Sequence, residues 1–154
     1  MRIYSAPAKP EEPLTVELWY APLPRPLSRF AWHHWLVARE AERATRWEVW
    51  QSRGAGGESV GHVHKNLMRP DGGVGGGDAV TLFTWRGAEA ENIVRILERA
   101  WSHYPHRFRY LAFPGPNSNT FVAWVLKRAG LAGDAALLLR WQAVGRGWLL
   151  LPGR

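Results

Sequence analysis

Residues 113–121 read FPGPNSNTF, and this segment holds the pattern in the chain best suited to chemistry. Two prolines and a glycine make a rigid turn, and Asn117, Ser118 and Asn119 then open a helix. A helix start presents unpaired N–H groups and a partial positive charge. A hydroxyl placed there, as on Ser118, stands beside donors able to hold an oxyanion. Upstream, His33 and His34 lie in FAWHHWLVA (30–38), a run of aromatic and β-branched residues that reads as a strand. Neighbouring strand residues point to opposite faces, so only one of the two imidazoles can meet a given partner. The competing explanation is capping: Asn, Ser and Thr are the commonest N-caps, each stabilising by about 1 kcal/mol.

The elements that must position these residues follow from pattern. Residues 14–20, LTVELWY, read as a strand between two Pro-rich pieces of the 5–28 segment. Residues 45–51, TRWEVWQ, alternate and form the hairpin partner of the His-bearing strand. A short strand is expected in 60–68, and a mobile Gly-rich loop over 70–78, PDGGVGGGD. Residues 79–85 read as a further strand. Over 87–103, Ile93, Ile96, Leu97, Ala100, Trp101 and Tyr104 recur at helical spacing, and Pro105 ends the helix. Residues 108–113 read as extended. The second helix is 117–129, with Gly130 at its stop. Two apolar pieces, 135–139 and 148–151, fit no element by pattern. Strands followed by helices favour an α+β fold, an antiparallel sheet packed on two main helices, in one domain over 1–154 with its core at about 14–130.

Composition removes whole classes of function. With 154 residues and no cysteine, the chain has no disulfide, thiolate metal site or cysteine nucleophile. No apolar run approaches the roughly 20 residues that span a bilayer, and residues 1–13 lack a signal-peptide core, so a soluble, cytoplasmic protein without a membrane partner is expected. The net charge is +7. No acid lies between Arg99 and Gly133, a stretch that holds Arg107, Arg109, Lys127 and Arg128. Guanidinium forks match phosphate and carboxylate, so this stretch suits an anionic ligand. The cations stand singly, against a nucleic-acid arm. The Gly-rich loop lacks the Gly-Lys-Ser/Thr of a phosphate loop and the spacing of a dinucleotide fingerprint. His62 and His64 would share a strand face, half of a metal site whose third ligand could be His33, His34 or Asp71, but without thiols or an HExxH helix no metal or other cofactor is expected. Most of the ten tryptophans are expected in the core, with Trp32, Trp35, Trp47 and Trp50 as candidates to line a groove on the hairpin.

The PGPNSNTF octapeptide, with a His-x-Trp strand well before it, resembles an uncharacterised bacterial family, domain of unknown function 3750. The resemblance covers roughly 14–130. At greater distance the arrangement is similar to circularly permuted papain-like hydrolases (NlpC-like and PPPDE-like), in which a strand histidine precedes a cysteine opening a helix in an Asn-Cys-x-x-Phe pattern. Asn117, Ser118 and Phe121 fit that pattern with serine for cysteine. The resemblance implies a permuted papain-like sheet, with Ser118 as nucleophile and His33 as base; His34 is the alternative base. Serine departs from the pattern, because a hydroxyl cannot be ionised as a thiol can and needs a general base. Glu48, on the partner strand, is the candidate to orient that base.

Two functional expectations result. The first is a non-catalytic module that binds a small anionic or peptide-like ligand. Asn117, Ser118, Asn119 and Thr120 at the helix start would hold it, with His34, Arg107, Arg109 or Arg128, and Trp35 or Trp124 stacking nearby. The second is a Ser/His hydrolase or acyltransferase using Ser118, His33 and Glu48. Weak nucleic-acid binding, steeply salt-dependent, is a further alternative.

Overall fold

The computed structural model describes residues 13–148. Six strands form one antiparallel sheet: β1 (Thr15–Pro22), β2 (Trp32–Glu40), β3 (Arg43–Val49), β4 (Glu58–Val60), β5 (Val63–Lys65) and β6 (Val80–Arg86). Their spatial order is β4-β5-β3-β2-β1-β6. Among the described residues four α-helices accompany them: α1 (Gly87–Glu98), α2 (Ala100–His103), α3 (Ser118–Arg128) and α4 (Ala132–Leu138). The fold is α+β. The expected hairpin is β2–β3, closed by a turn at Ala41 and Glu42, with Leu36 opposite Trp47.

Three local readings need correction. Residues 60–68 do not form one strand: Gly61 and His62 turn the chain between β4 and β5, which pair with each other. The helix expected over 87–103 is two, because the backbone tightens at Arg99. There the N–H of Arg99 donates to Ile96 O at 3.2 Å, and that of Ser102 to Arg99 O at 3.1 Å. The apolar stripe continues across the break, which is why spacing alone reads through it. Residues 108–113 pair with no strand among the described residues.

Both faces of the sheet are covered. On one face Val16, Leu18, Leu36, Trp47 and Val49 pack against Ile93 and Leu97 of α1 and Phe121, Val122 and Val125 of α3. Each large side chain so buried stabilises by roughly 1.5–3 kcal/mol. On the opposite face Ala21, Trp35 and Val37 are buried beneath Val74 of the Gly-rich loop and Ala79 just after it. That loop is pinned: Trp35 Nε1 donates to Pro70 O at 2.9 Å, and Arg46 Nη1 donates to Arg69 O and Gly72 O at 2.9 and 2.7 Å. Gly76 lies so close to Leu23 that a Cβ would collide with its carbonyl oxygen. The glycine here permits close approach of backbone to backbone.

Of the two carboxy-terminal pieces, residues 135–139 belong to α4 and the capping residue after it; residues 149–151 of the other lie outside the described residues. No helix among the described residues is long and apolar enough to cross a membrane.

Candidate functional site

The start of α3 is closed by Asn117, not by Ser118. Asn117 has extended backbone, and its Oδ1 accepts the N–H groups of Asn119 and Thr120 at 3.0 and 3.3 Å. Thr120 Oγ1 accepts the Asn117 N–H at 3.0 Å and donates to Gly145 O at 2.7 Å. This is a capping box with threonine in the third helical position. Asn117 Nδ2 also donates to Ala112 O at 2.9 Å, which fixes the turn before the helix. The Phe113–Pro114 and Gly115–Pro116 bonds of that turn are cis. Two of the N–H groups expected to meet an oxyanion are therefore occupied by the cap. Ser118 is buried, and its Oγ forms no hydrogen bond among the described residues.

The imidazole that meets this helix is His34. Asn119 Oδ1 lies 3.2 Å from the His34 backbone N and 2.8 Å from His34 Nδ1. Asn119 Nδ2 donates to Trp32 O and Val144 O, both at 2.9 Å, so the orientation of its amide is fixed. The oxygen can only accept, so His34 Nδ1 carries the proton and donates it. Nε2 is then the lone-pair side of a neutral ring. It is buried and has no hydrogen-bond partner. Burial pushes the His34 pKa down to about 4, against the opposing hydrogen bond to Asn119. The ring of Tyr20 lies 5.9 Å from that of His34 and stacks on Trp32 at 4.2 Å.

His33 points the other way. Its Nε2 is 2.7 Å from Glu48 Oε2, which also accepts from Arg46 Nη2 at 2.7 Å. All three residues are buried. Burial alone would raise the Glu48 pKa; the hydrogen bond with His33, then the charges of His33 and Arg46, outweigh it and hold the carboxyl below its usual range. Arg46 lies over the Trp35 ring, 3.9 Å from its centroid. The sheet thus brings His33 and Glu48 together, as expected, but on the face opposite Ser118. Strand alternation is the reason: His34 and Leu36 share the helix face, while His33, Trp35 and Val37 share the loop face.

A family described as a protein of unknown function (DUF3750) matches residues 14–148. The chain belongs to this family. No curated protein and no solved structure matches it.

In this DUF3750 protein the remaining candidates are dispersed. Trp35 is buried beneath the Gly-rich loop on the far face, away from the start of α3. Arg107 donates to Tyr104 O at 3.1 Å, and its own carbonyl accepts from His62 N at 2.7 Å, which ties it to the β4–β5 turn. Arg109 stands over Trp148, 5.5 Å from the ring centroid. Trp148 packs beside Gly115, where a Cβ would lie 3.4 Å from its own, so Arg109 is the cation closer to the PGPN turn. Trp32, Trp35, Trp47 and Trp50 form no common groove: Trp47 lies in the helix-face core, Trp35 on the other face, and Trp50 meets the His33 ring edge-on. His62 Nδ1 faces Trp50 O, and His64 Nε2 faces Ser52 O, both at 2.9 Å. Among the described residues no three His, Asp or Glu side chains group as metal ligands.

Three contributors escaped the sequence reading. Arg46 shares the Glu48 face at a two-residue spacing, a signal that was present in TRWEVWQ. Val144 and Gly145 close over the start of α3 from a segment without pattern. A Cβ on Gly145 would lie 2.5 Å from Asn117 Nδ2, and its φ is +88°. Only glycine allows that approach.

Proposed function

We propose that this protein binds a small peptide-like ligand at the start of α3, between His34 and Ser118. The observation that carries the reading is His34 Nε2, a buried acceptor with its tautomer fixed from behind and nothing to accept from. Buried polar atoms without partners are uncommon and costly, so a ligand N–H directed at this nitrogen gains a full hydrogen bond. Ser118 supplies the complementary donor, its hydroxyl being unused by the cap. A peptide group carries both an N–H and a C=O. Arg109, near the PGPN turn, suits a ligand that also bears a carboxylate. The test is titration with N-acetylated amino acids and their amides, followed by the ¹⁵N resonances of the His34 ring and by calorimetry. Binding should move Nε2 and leave Nδ1 nearly still. His34→Phe should abolish it, and Ser118→Ala should weaken it roughly tenfold. No movement of Nε2, or binding unaltered in both variants, would refute the reading.

One observation favours acyl transfer as a second reading. Asn119 fixes His34 in the tautomer that a general base requires, one residue from a serine at a helix start. In that case Ser118 Oγ attacks a carbonyl carbon, His34 Nε2 takes the hydroxyl proton and then passes it to the leaving group. His34 replaces His33 as base, and Asn119 replaces Glu48 as orienter. No hydrogen bond joins Ser118 Oγ to His34, and the capping box uses donors an oxyanion would need, so binding without turnover is the leading proposal. Fluorophosphonate labelling that disappears in Ser118→Ala would promote the second reading above it.

A further inference from the structure

A cavity of about 170 Å³ lies in the seam between α1 and α3. Asn92, Arg95 and Arg99 of α1 and its end, Trp124 and Arg128 of α3, and His103 of α2 line it. The α1 residues fall at three- and four-residue spacing and so share one helix face. Glu91 and Glu98, the nearby acids of the same helix, do not line the cavity. Arg95, Arg99 and Arg128 form no ion pair among the described residues. Arg128 lies over Trp124 at 6.0 Å, so the indole forms part of the wall beside a guanidinium. Asn92 Nδ2 donates to Ala129 O at 3.0 Å, which takes a carbonyl at the end of α3 out of the path of an anion.

Cations in the last turn of a helix ordinarily complement its dipole, and Arg95 and Arg128 occupy such positions. That role asks for one charge at each helix end. It does not account for three guanidinium groups around one cavity with a histidine at its side.

We propose that this seam binds a soluble molecule bearing a phosphate or diphosphate group. A carboxylate satisfies one guanidinium fork; a phosphate, with more oxygens and more charge, engages two or three. Trp124, buried in the core but lining the cavity, offers apolar surface to whatever carries the phosphate. The site is separate from the start of α3, and neither proposal depends on the other.

The experiment is calorimetric titration of the full chain with pyrophosphate, with arginine Nε–H resonances followed by NMR. Pyrophosphate should bind and shift the Nε–H signals of Arg95, Arg99 and Arg128. The Arg99→Gln/Arg128→Gln double variant should bind at least roughly tenfold more weakly. Arg25→Gln/Arg29→Gln, which removes the same charge elsewhere, should leave the affinity unchanged. All four arginines of these variants are exposed or half-buried, so both should fold, as circular dichroism will verify. Three outcomes overturn the proposal: no heat and no Nε–H shift at millimolar pyrophosphate; equal weakening in both double variants, which would mean diffuse attraction by net charge; or adsorption to phosphatidic acid vesicles without any response to pyrophosphate, which would place the phosphate on a lipid.

Discussion

Acid should destabilise this protein in two successive steps, and His34 sets the first. Its ring is neutral and buried, with a pKa of about 4 against an ordinary value of 6.5. In the unfolded chain the same ring takes up a proton near pH 6.5. Between these values the unfolded state binds more protons than the folded state, so stability falls as pH falls. The full stability is present above about pH 6.5, and the loss is complete near pH 4. Each pH unit between the unfolded and folded pKa corresponds to about 1.4 kcal/mol, so the step amounts to about 3 kcal/mol. From the ordinary carboxylate value downward a second loss follows, because the Glu48 pKa is lowered: its contribution is full above that value and is lost as pH falls through the folded pKa. Urea denaturation at a series of pH values measures both. His34→Gln should remove the slope between pH 6.5 and 4 and leave the lower step. A His34 ring that titrates near 6.5 by NMR, or carries its proton on Nε2, would refute the reasoning, because the low pKa follows from burial and the tautomer from the hydrogen bond to Asn119.

Two further outcomes follow at and behind the site. Asn117→Ala should cost about 1–2 kcal/mol in urea denaturation through loss of the capping box, whereas Ser118→Ala should stay within about 0.5 kcal/mol because its hydroxyl bonds to nothing in the fold. Equal losses would show that Ser118 is structural. On the far face, Glu48→Leu should cost about 3–5 kcal/mol by leaving Arg46 buried without its carboxylate, and Arg46→Met/Glu48→Leu should cost less than the two single losses combined, by about 1 kcal/mol or more. Strict additivity would mean that the ion pair has no coupling of its own.

Much of the architecture was legible because it rests on local pattern. The β2–β3 hairpin, the strand before α1, and α3 with Gly130 behind it all come from alternation, helical spacing and turn chemistry. What pattern could not supply is long-range closure. Residues 142–145 bear no periodic signal, yet Gln142 O accepts from Trp32 N, Val144 O from Asn119, and Gly145 O from Thr120. Backbone carbonyls do that work, and carbonyls leave no mark on sequence. The same limit hid the role of the Gly-rich loop, whose carbonyls hold Arg46 and Trp35.

The choice between His33 and His34 is different, because the answer was present one strand away. In β2 both parities carry apolar or aromatic residues: Trp32 and Leu36 on one, Trp35 and Val37 on the other. A strand covered on both faces gives no sign of which face meets the helices. The neighbouring β3 does give one. Trp47 and Val49 are apolar, while Arg46 and Glu48 on the alternate positions are charged. The apolar parity of β3 belongs against α1 and α3, and the charged parity belongs on the other face. A histidine that reaches Glu48 must therefore lie on the charged parity, away from Ser118. Pairing His33 with both Glu48 and Ser118 asked one ring to face both sides of the sheet. The arrangement resolves that conflict by dividing the work: His33 closes a buried ion network with Arg46 and Glu48, and His34, held by Asn119, is left to face the start of α3.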